Sequence, residues 1–145
     1  MNMPHPPPVQ RVIDAFERLA PADLATLDSL YRPDVRFKDP FNDVQGLPAV
    51  RRVFEHMFVA LASPRFHILD VVASGDRCFL TWDFRFRLRR WRQDEQCIHG
   101  GSFLVFAADG RIAVHRDYWD AAEELYEKLP AVGALMRWLK RRANA

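Results

Sequence analysis

The sequence is short of cysteine, of long apolar runs and of any excess of one charge, and each shortage excludes something. Two cysteines, Cys78 and Cys97, in 145 residues cannot staple a domain of this size, so reduced thiols in a cytoplasmic protein are expected rather than a disulfide framework. Nowhere do about 18 apolar residues run together, as a membrane-spanning helix requires. The opening M-N-M-P-H-P-P-P has neither a basic n-region nor an apolar h-region, so no secretory leader and no membrane partner are expected. Lys and Arg number 21 against 19 Asp and Glu, a net +2, and no basic run is interleaved with stacking aromatics. No nucleic-acid partner is expected.

Hydrophobic residues make up 49% of the chain and aromatics 12%. That is enough for one globular domain to bury about two-thirds of its unfolded surface. Residues 1–8 read as a disordered, proline-rich lead and 9–145 as a single domain. Val9, Val12, Ile13, Phe16 and Leu19 recur at helical spacing, and Pro21 ends that helix. Asp23 caps a second, short helix carrying Leu24, Leu27, Leu30 and Tyr31, which Arg32-Pro33 terminates. A short strand, Val35 to Asp39, follows, with Asp39 on the face of Val35 and Phe37. After the loop at Pro40-Phe41-Asn42-Asp43, a third helix carries Val50, Val53, Phe54, Met57, Phe58 and Leu61 and stops at Ser63-Pro64.

From residue 66 the hydrophobic period changes from 3.6 to 2, and the segments 66–73, 78–90 and 98–107 read as strands of an antiparallel meander. The last strand is the most informative. Asp109-Gly110 opens it with a dipeptide suited to a tight hairpin, and Asp120 closes it as a helix cap. By alternation Ala113, His115, Asp117 and Trp119 share one face, with Ile112, Val114, Arg116 and Tyr118 on the other. An imidazole, a carboxylate and an indole on one side of an apolar strand point to a polar-spotted cavity. With no further His or Cys at ligand spacing beside His115 and Asp117, neither a metal nor a cofactor is expected. The closing helix carries Ala122, Leu125, Tyr126 and Leu129, with a basic tail from Val132 to Arg142. Helices first and sheet second give an α+β fold.

Asp39-Pro40-Phe41, Ala22-Asp23-Leu24, Gly110-Arg111-Ile112 and Arg116-Asp117-Tyr118-Trp119-Asp120 together resemble the nuclear transport factor 2-like superfamily over most of the chain. The resemblance implies a cone-shaped barrel, three N-terminal helices packed on a curved, mostly antiparallel sheet with a C-terminal helix. Its deep pocket would hold a small hydrophobic molecule. Three branches match in part: ketosteroid isomerase, limonene epoxide hydrolase and the SnoaL-like polyketide cyclases. Asp39 matches the isomerase base, but Ala15 or Phe16 stands where its tyrosine donor belongs and Ser102 where its second acid does. Asp117 matches the hydrolase's last-strand aspartate, while the middle-strand R-x-D is inverted to Asp83-Phe84-Arg85.

The resemblance therefore implies an acid/base enzyme of isomerase, cyclase or epoxide-hydrolase type. Asp39 and Asp117 would be acid and base, Asp83 and Arg85 their charge partners, and Phe16, Phe37, Phe58, Ser102, His115 and Trp119 the ligand-binding wall. The alternative is a non-catalytic ligand-binding or dimerisation module. On strand 78–90, composition alone turns Trp82, Phe84 and Phe86 to the core and Asp83 and Arg85 to water. The resemblance inverts that face, giving a homodimer through Trp82, Phe84, Phe86 and Phe103 with Asp83 and Arg85 pointing inward.

Overall fold

The computed structural model describes residues 4–89, 94–124, 135, 138, 139 and 141–143. Helix α1 (Pro7–Glu17) starts two residues ahead of its apolar stripe. Pro7 and Pro8 occupy the first turn, where a missing N–H leaves no bond unmade. Val9, Val12, Ile13 and Phe16 are its buried side. Pro21–Ser29 is a 3₁₀ helix. Its buried Leu24 and Leu27 are three residues apart, the repeat of that tighter turn, and Asp23 Oδ2 accepts the Ala20 N–H at 2.8 Å to start it. Helix α2 (Leu47–Ala60) buries Leu47, Val50 and Phe54, and Arg51 Nε donates to the Leu24 carbonyl at 2.8 Å.

Strands β1 (Tyr31–Lys38), β2 (Asp43–Gln45), β3 (Leu61–Ser74), β4 (Arg77–Leu88), β5 (Glu95–Phe106) and β6 (Ile112–Tyr118) form one sheet in the order β2-β1-β6-β5-β4-β3. The stretch from β3 to β6 is the expected antiparallel meander, whereas β1 joins β6 in parallel. The sheet is therefore mixed, curved and open, and the fold is the expected α+β cone.

Irregularities move several boundaries and one face. Tyr31 and Arg32-Pro33, read from sequence as the end of a helix, lie inside β1, in the interval between the pairs Tyr31↔Ile112 and Arg36↔Val114 where the ladder is interrupted. The missing proline donor falls where no ladder bond is made. Ser63-Pro64 sits inside β3 at the register shift between Ala62 and Arg65, with Ser63 at φ 51°. A third irregularity, between Phe106↔Ile112 and Val105↔Val114, leaves Ala113 as an extra residue. Strict alternation places Ile112 opposite His115, but the inserted residue brings both to the buried face, at 0% and 3% exposure.

Strand β4 corrects the inverted face. Trp82, Phe84 and Phe86 are buried on the concave face of the sheet, and Asp83 and Arg85 point to the outer face. Burying each ring gains about 1.5–3 kcal/mol, while an unpaired charge turned inward would cost several times that. Of the four residues expected to hold a dimer together, Phe103 alone lies on the outer face, opposite Phe79.

Helix α3 (Ala121–Glu124) follows β6, and the Glu123 N–H donates to Asp120 Oδ1 at 3.1 Å, as its capping pattern predicts. Leu135, Trp138, Leu139 and residues 141–143 are helical. Leu125, Tyr126, Leu129 and the other tail positions of the expected closing helix lie outside the described residues, as do Arg90 to Gln93. No helix among the described residues is long and apolar enough to cross a membrane.

The β5–β6 connection is longer than a two-residue turn, and only Gly110, at φ 83°, takes the left-handed conformation. Asp109 Oδ1 accepts the Arg111 N–H at 3.0 Å, and its Oδ2 meets Arg111 and Arg32. The backbone bond from Arg111 is the chief cause that lowers the Asp109 carboxyl from 3.8 to about 2, and the two guanidinium groups add to it. Because the folded value lies below the unfolded one, the stabilisation is full above about pH 4 and fades as pH falls toward 2. Asp109→Asn should flatten the acid limb of stability over that window, measured by urea midpoints at stepped pH.

Candidate functional site

Between α2 and the concave face of the sheet lies a cavity of about 410 Å³. Its far wall is Val53, Phe54 and Met57 from α2, its near wall Phe66, Phe84, Phe86 and Ile98 from the sheet. At the mouth stand Phe37, Asp39, Phe41, Asn42 and Trp119, where the Phe41 and Trp119 rings meet edge to face at 5.4 Å. Asp39, Asn42, His56 and Asp117 are the polar side chains among otherwise apolar and aromatic ones. A second, much smaller void continues inward past Trp82 and Asp117 to Phe16, Ser102 and His115. The cavity suits a flat, hydrophobic molecule with few polar groups.

Asp117 is the point where this apolar space meets a buried polar chain. Ser102 Oγ donates to Asp117 Oδ1 at 2.5 Å, and Trp82 Nε1 donates to Ser102 Oγ at 2.9 Å. His115 Nε2 lies 2.7 Å from the same Asp117 oxygen, and His115 Nδ1 lies 2.8 Å from the Tyr31 hydroxyl. One proton arrangement satisfies every contact with an ionised Asp117 and a neutral His115: Nε2 carries the imidazole proton and donates to Asp117, so Nδ1 accepts from Tyr31. Burial, and then the negative charge of Asp117, push the Tyr31 hydroxyl well above its ordinary pKa. It remains a donor.

Local sequence explains the geometry. His115 and Asp117 alternate onto one face of β6, and cross-strand pairing sets Ser102 opposite Asp117. Gly100 lies opposite Trp82, and a Cβ there would come within 2.6 Å of the indole. The bare backbone lets the ring lie across β5 and reach Ser102. The parallel register Tyr31↔Ile112 and Phe37↔His115 brings β1 alongside. Phe16, Phe37 and Tyr31 then pack round the imidazole at centroid distances of 5.6, 4.7 and 5.9 Å.

The expected site residues divide. Asp39 and Asp117 share the cavity, together with Phe37 and Trp119. Phe16, Ser102 and His115 line the inner void. Asp39 is not an unpartnered carboxylate: its Oδ1 accepts the N–H groups of Phe41 and Asn42 at 2.8 and 2.7 Å, and the Asn42 side-chain amide reaches both oxygens. It caps the turn that forms the mouth. Phe58 does not line the cavity; the α2 residues that do are Val53, Phe54, His56, Met57 and Ala60. Asp83 and Arg85 do pair, at 3.8 Å, but on the outer face. Sequence reasoning missed Tyr31 and assigned Trp82 to an interface. The signal for Trp82 was its alternation with Leu80 and Phe84.

Asp117 borders the cavity; its Oδ1 receives two donors, while no hydrogen bond reaches Oδ2 among the described residues. A carboxylate with one oxygen fixed and the other open in an apolar space is the geometry of a general base. A family model described as a SnoaL-like domain matches residues 9–115. The chain belongs to the SnoaL-like family. Among solved structures, this SnoaL-like chain is similar to a nuclear transport factor 2-like protein of unknown function from Burkholderia pseudomallei, at 22% identity and a TM-score of 0.68, covering 80% of this chain and 90% of that one. It is also similar to a putative SnoaL-like polyketide cyclase from Shewanella putrefaciens, at 17% identity, TM-score 0.70 and coverages of 84% and 98%. A third similarity is to an epoxide hydrolase of the limonene type from Mycobacterium tuberculosis, at 17% identity, TM-score 0.63 and coverages of 81% and 83%. At these identities the likeness is one of fold. No curated protein matches the sequence.

The Tyr31–His115 bond yields a two-part prediction. Tyr31→Phe leaves His115 Nδ1 buried without its donor and should cost about 1–3 kcal/mol at neutral pH. Because the folded Tyr31 pKa is raised, the wild type also loses stability as pH climbs above about 10. The variant should lose less over that alkaline range, as read by denaturant titrations at stepped pH.

Proposed function

We propose that the protein is an acid/base enzyme of the isomerase, cyclase or epoxide-hydrolase kind acting on a small hydrophobic molecule. The observation that carries this reading is Asp117, a carboxylate that borders an apolar cavity, with Oδ1 held by Ser102 and His115 and no hydrogen bond to Oδ2 among the described residues. In this reading Oδ2 takes a proton from a carbon acid of the substrate or from an attacking water. Oδ1 keeps both donors throughout, so the imidazole need not change tautomer and the Tyr31–His115 bond survives each proton transfer. Pre-set donors of this sort need no reorganisation as charge moves. Asp39, held by the amides of its turn, serves as a fixed anionic wall at the mouth and leaves proton exchange to Asp117.

The likeness to a cyclase and to an epoxide hydrolase supports the substrate classes worth trying: polyketide-like polyketones, other enolisable ketones, and terpene-like epoxides. The test is solvent deuterium incorporation into enolisable ketones, alongside diol formation from epoxides, followed by mass spectrometry. Asp117→Asn should reduce whichever activity is found by about 100-fold to 10,000-fold, and Asp39→Asn should reduce it far less. Full turnover by Asp117→Asn would remove Asp117 from the reaction.

A second reading, a dimerisation module, is favoured by the outer sheet face. There Val72, Phe79 and Tyr118 are 70%, 39% and 47% exposed, and Phe103 lies opposite Phe79. Arg77 covers the Phe103 ring at 5.9 Å and Arg116 the Tyr118 ring at 4.8 Å. Exposed rings gathered on one sheet face fit a second copy of the chain. The two readings are compatible. Sedimentation should give a dimer at micromolar concentration and a monomer for Phe79→Asp; a wild-type monomer would reject the dimer and leave the Asp117 reading intact.

A further inference from the structure

The outer face also carries a constellation that the Asp117 site does not use. Asp83 on β4 pairs directly with His99 on β5, and Cys97 precedes His99 by two residues, so all three side chains emerge on one face of adjacent strands. A carboxylate oxygen of Asp83, a ring nitrogen of His99 and Sγ of Cys97 lie within 4.8 Å of one another. In a tetrahedral site with bonds of about 2.0–2.3 Å, ligand atoms sit about 3.3–3.8 Å apart. Small side-chain rotations close the difference.

The surroundings suit a cation held at the floor and reached from solvent. Asp83 is 9% exposed, whereas the His99 side chain is 67% exposed. Asp83 divides its oxygens: Oδ1 meets His99 Nδ1, and Oδ2 faces Arg85 Nη2 at 3.8 Å. Arg85 also reaches Glu95 Oε2 at 3.8 Å, so it keeps an anionic partner when the charge of Asp83 is engaged elsewhere. Glu124 of α3 accepts the His99 N–H at 3.4 Å, which adds a further carboxylate near the site.

We propose that Asp83, Cys97 and His99 bind one divalent ion of the zinc class on the outer face of the sheet. A set of one sulfur, one nitrogen and one oxygen matches a borderline-soft ion and disfavours magnesium and calcium, which take oxygen ligands. On binding, the Cys97 thiol releases its proton to solvent, the imidazole proton of His99 moves from Nδ1 to Nε2, and the ion takes its place between Nδ1 and Asp83 Oδ1. Thiolate and carboxylate together balance its charge. Three protein ligands leave one position for water, and the ion joins β4 to β5 on the face opposite Asp117. Cys78 is excluded as a ligand, since it is buried on the concave side and burial pushes its thiol pKa up.

The experiment is a cobalt(II) titration of the full-length chain after chelator dialysis, followed by zinc competition. One ion per chain should bind and give a near-ultraviolet thiolate-to-cobalt band with the intense visible absorption of a tetrahedral site, both displaced by zinc. Cys97→Ser should abolish the thiolate band, His99→Ala should weaken binding by about tenfold or more, and Cys78→Ser should leave binding unchanged. Zinc should raise the Tm of the wild type but not of Cys97→Ser. Absence of the thiolate band, or a band that survives Cys97→Ser, would overturn the proposal. His99→Ala alters an exposed side chain, so it tests the site even if Asp83→Asn fails to fold.

Discussion

A carboxylate among apolar side chains must be hydrogen-bonded, and in this chain that requirement recruits residues from four strands. Asp117 of β6 is held by Ser102 of β5 and by its own strand neighbour His115; Trp82 of β4 backs Ser102 and Tyr31 of β1 backs His115. An unpaired buried charge costs several kcal/mol, so the sheet order and the carboxylate depend on each other. Misregister any of these strands by one residue and the chain of donors breaks. No buried side-chain nitrogen or oxygen among the described residues lacks a partner.

The same constraint divides the sheet. On the concave side, Trp82, Phe84 and Phe86 wall a cavity whose polar groups are few, so each polar group there has a large effect in the reduced dielectric. The convex side holds the pairs and clusters of charge that the cavity excludes, among them Asp83 with Arg85 and His99. Strand β5 serves both sides at once. Gly100 yields to the Trp82 ring and Gly101 to the Phe79 ring, each at 2.6 Å from where a Cβ would stand.

Much of this was legible in the sequence because it follows from local period. The α1 stripe, the meander and the shared face of His115 and Asp117 need only neighbouring residues to be read. The failures share a cause in interactions distant along the chain. Tyr31 looks like the end of a helical stripe until β6, more than eighty residues later, supplies both a ladder partner and a histidine. Ala113 is an unremarkable strand residue until the ladder makes it the extra one, and Asp39 reads as a carboxylate on the apolar face of its strand until its turn closes on it. On β4 the hydrophobic pattern pointed to the observed face, and family resemblance pointed away from it. Burial of three aromatic rings outweighed the analogy, and the expected inward pair Asp83 and Arg85 lies outside.

An open sheet has edges, and here β3 leaves fourteen residues of backbone on one of them. A flat strand of that length is a template on which another chain can add by hydrogen bonding. Pro64 carries no N–H, and Ser63, turned to a positive φ beside it, falls where the pairing with β4 shifts register. What reads locally as a defect in a ladder thus works against fibril-like growth, and it lets the cone keep an open margin without offering a neighbour a continuous edge.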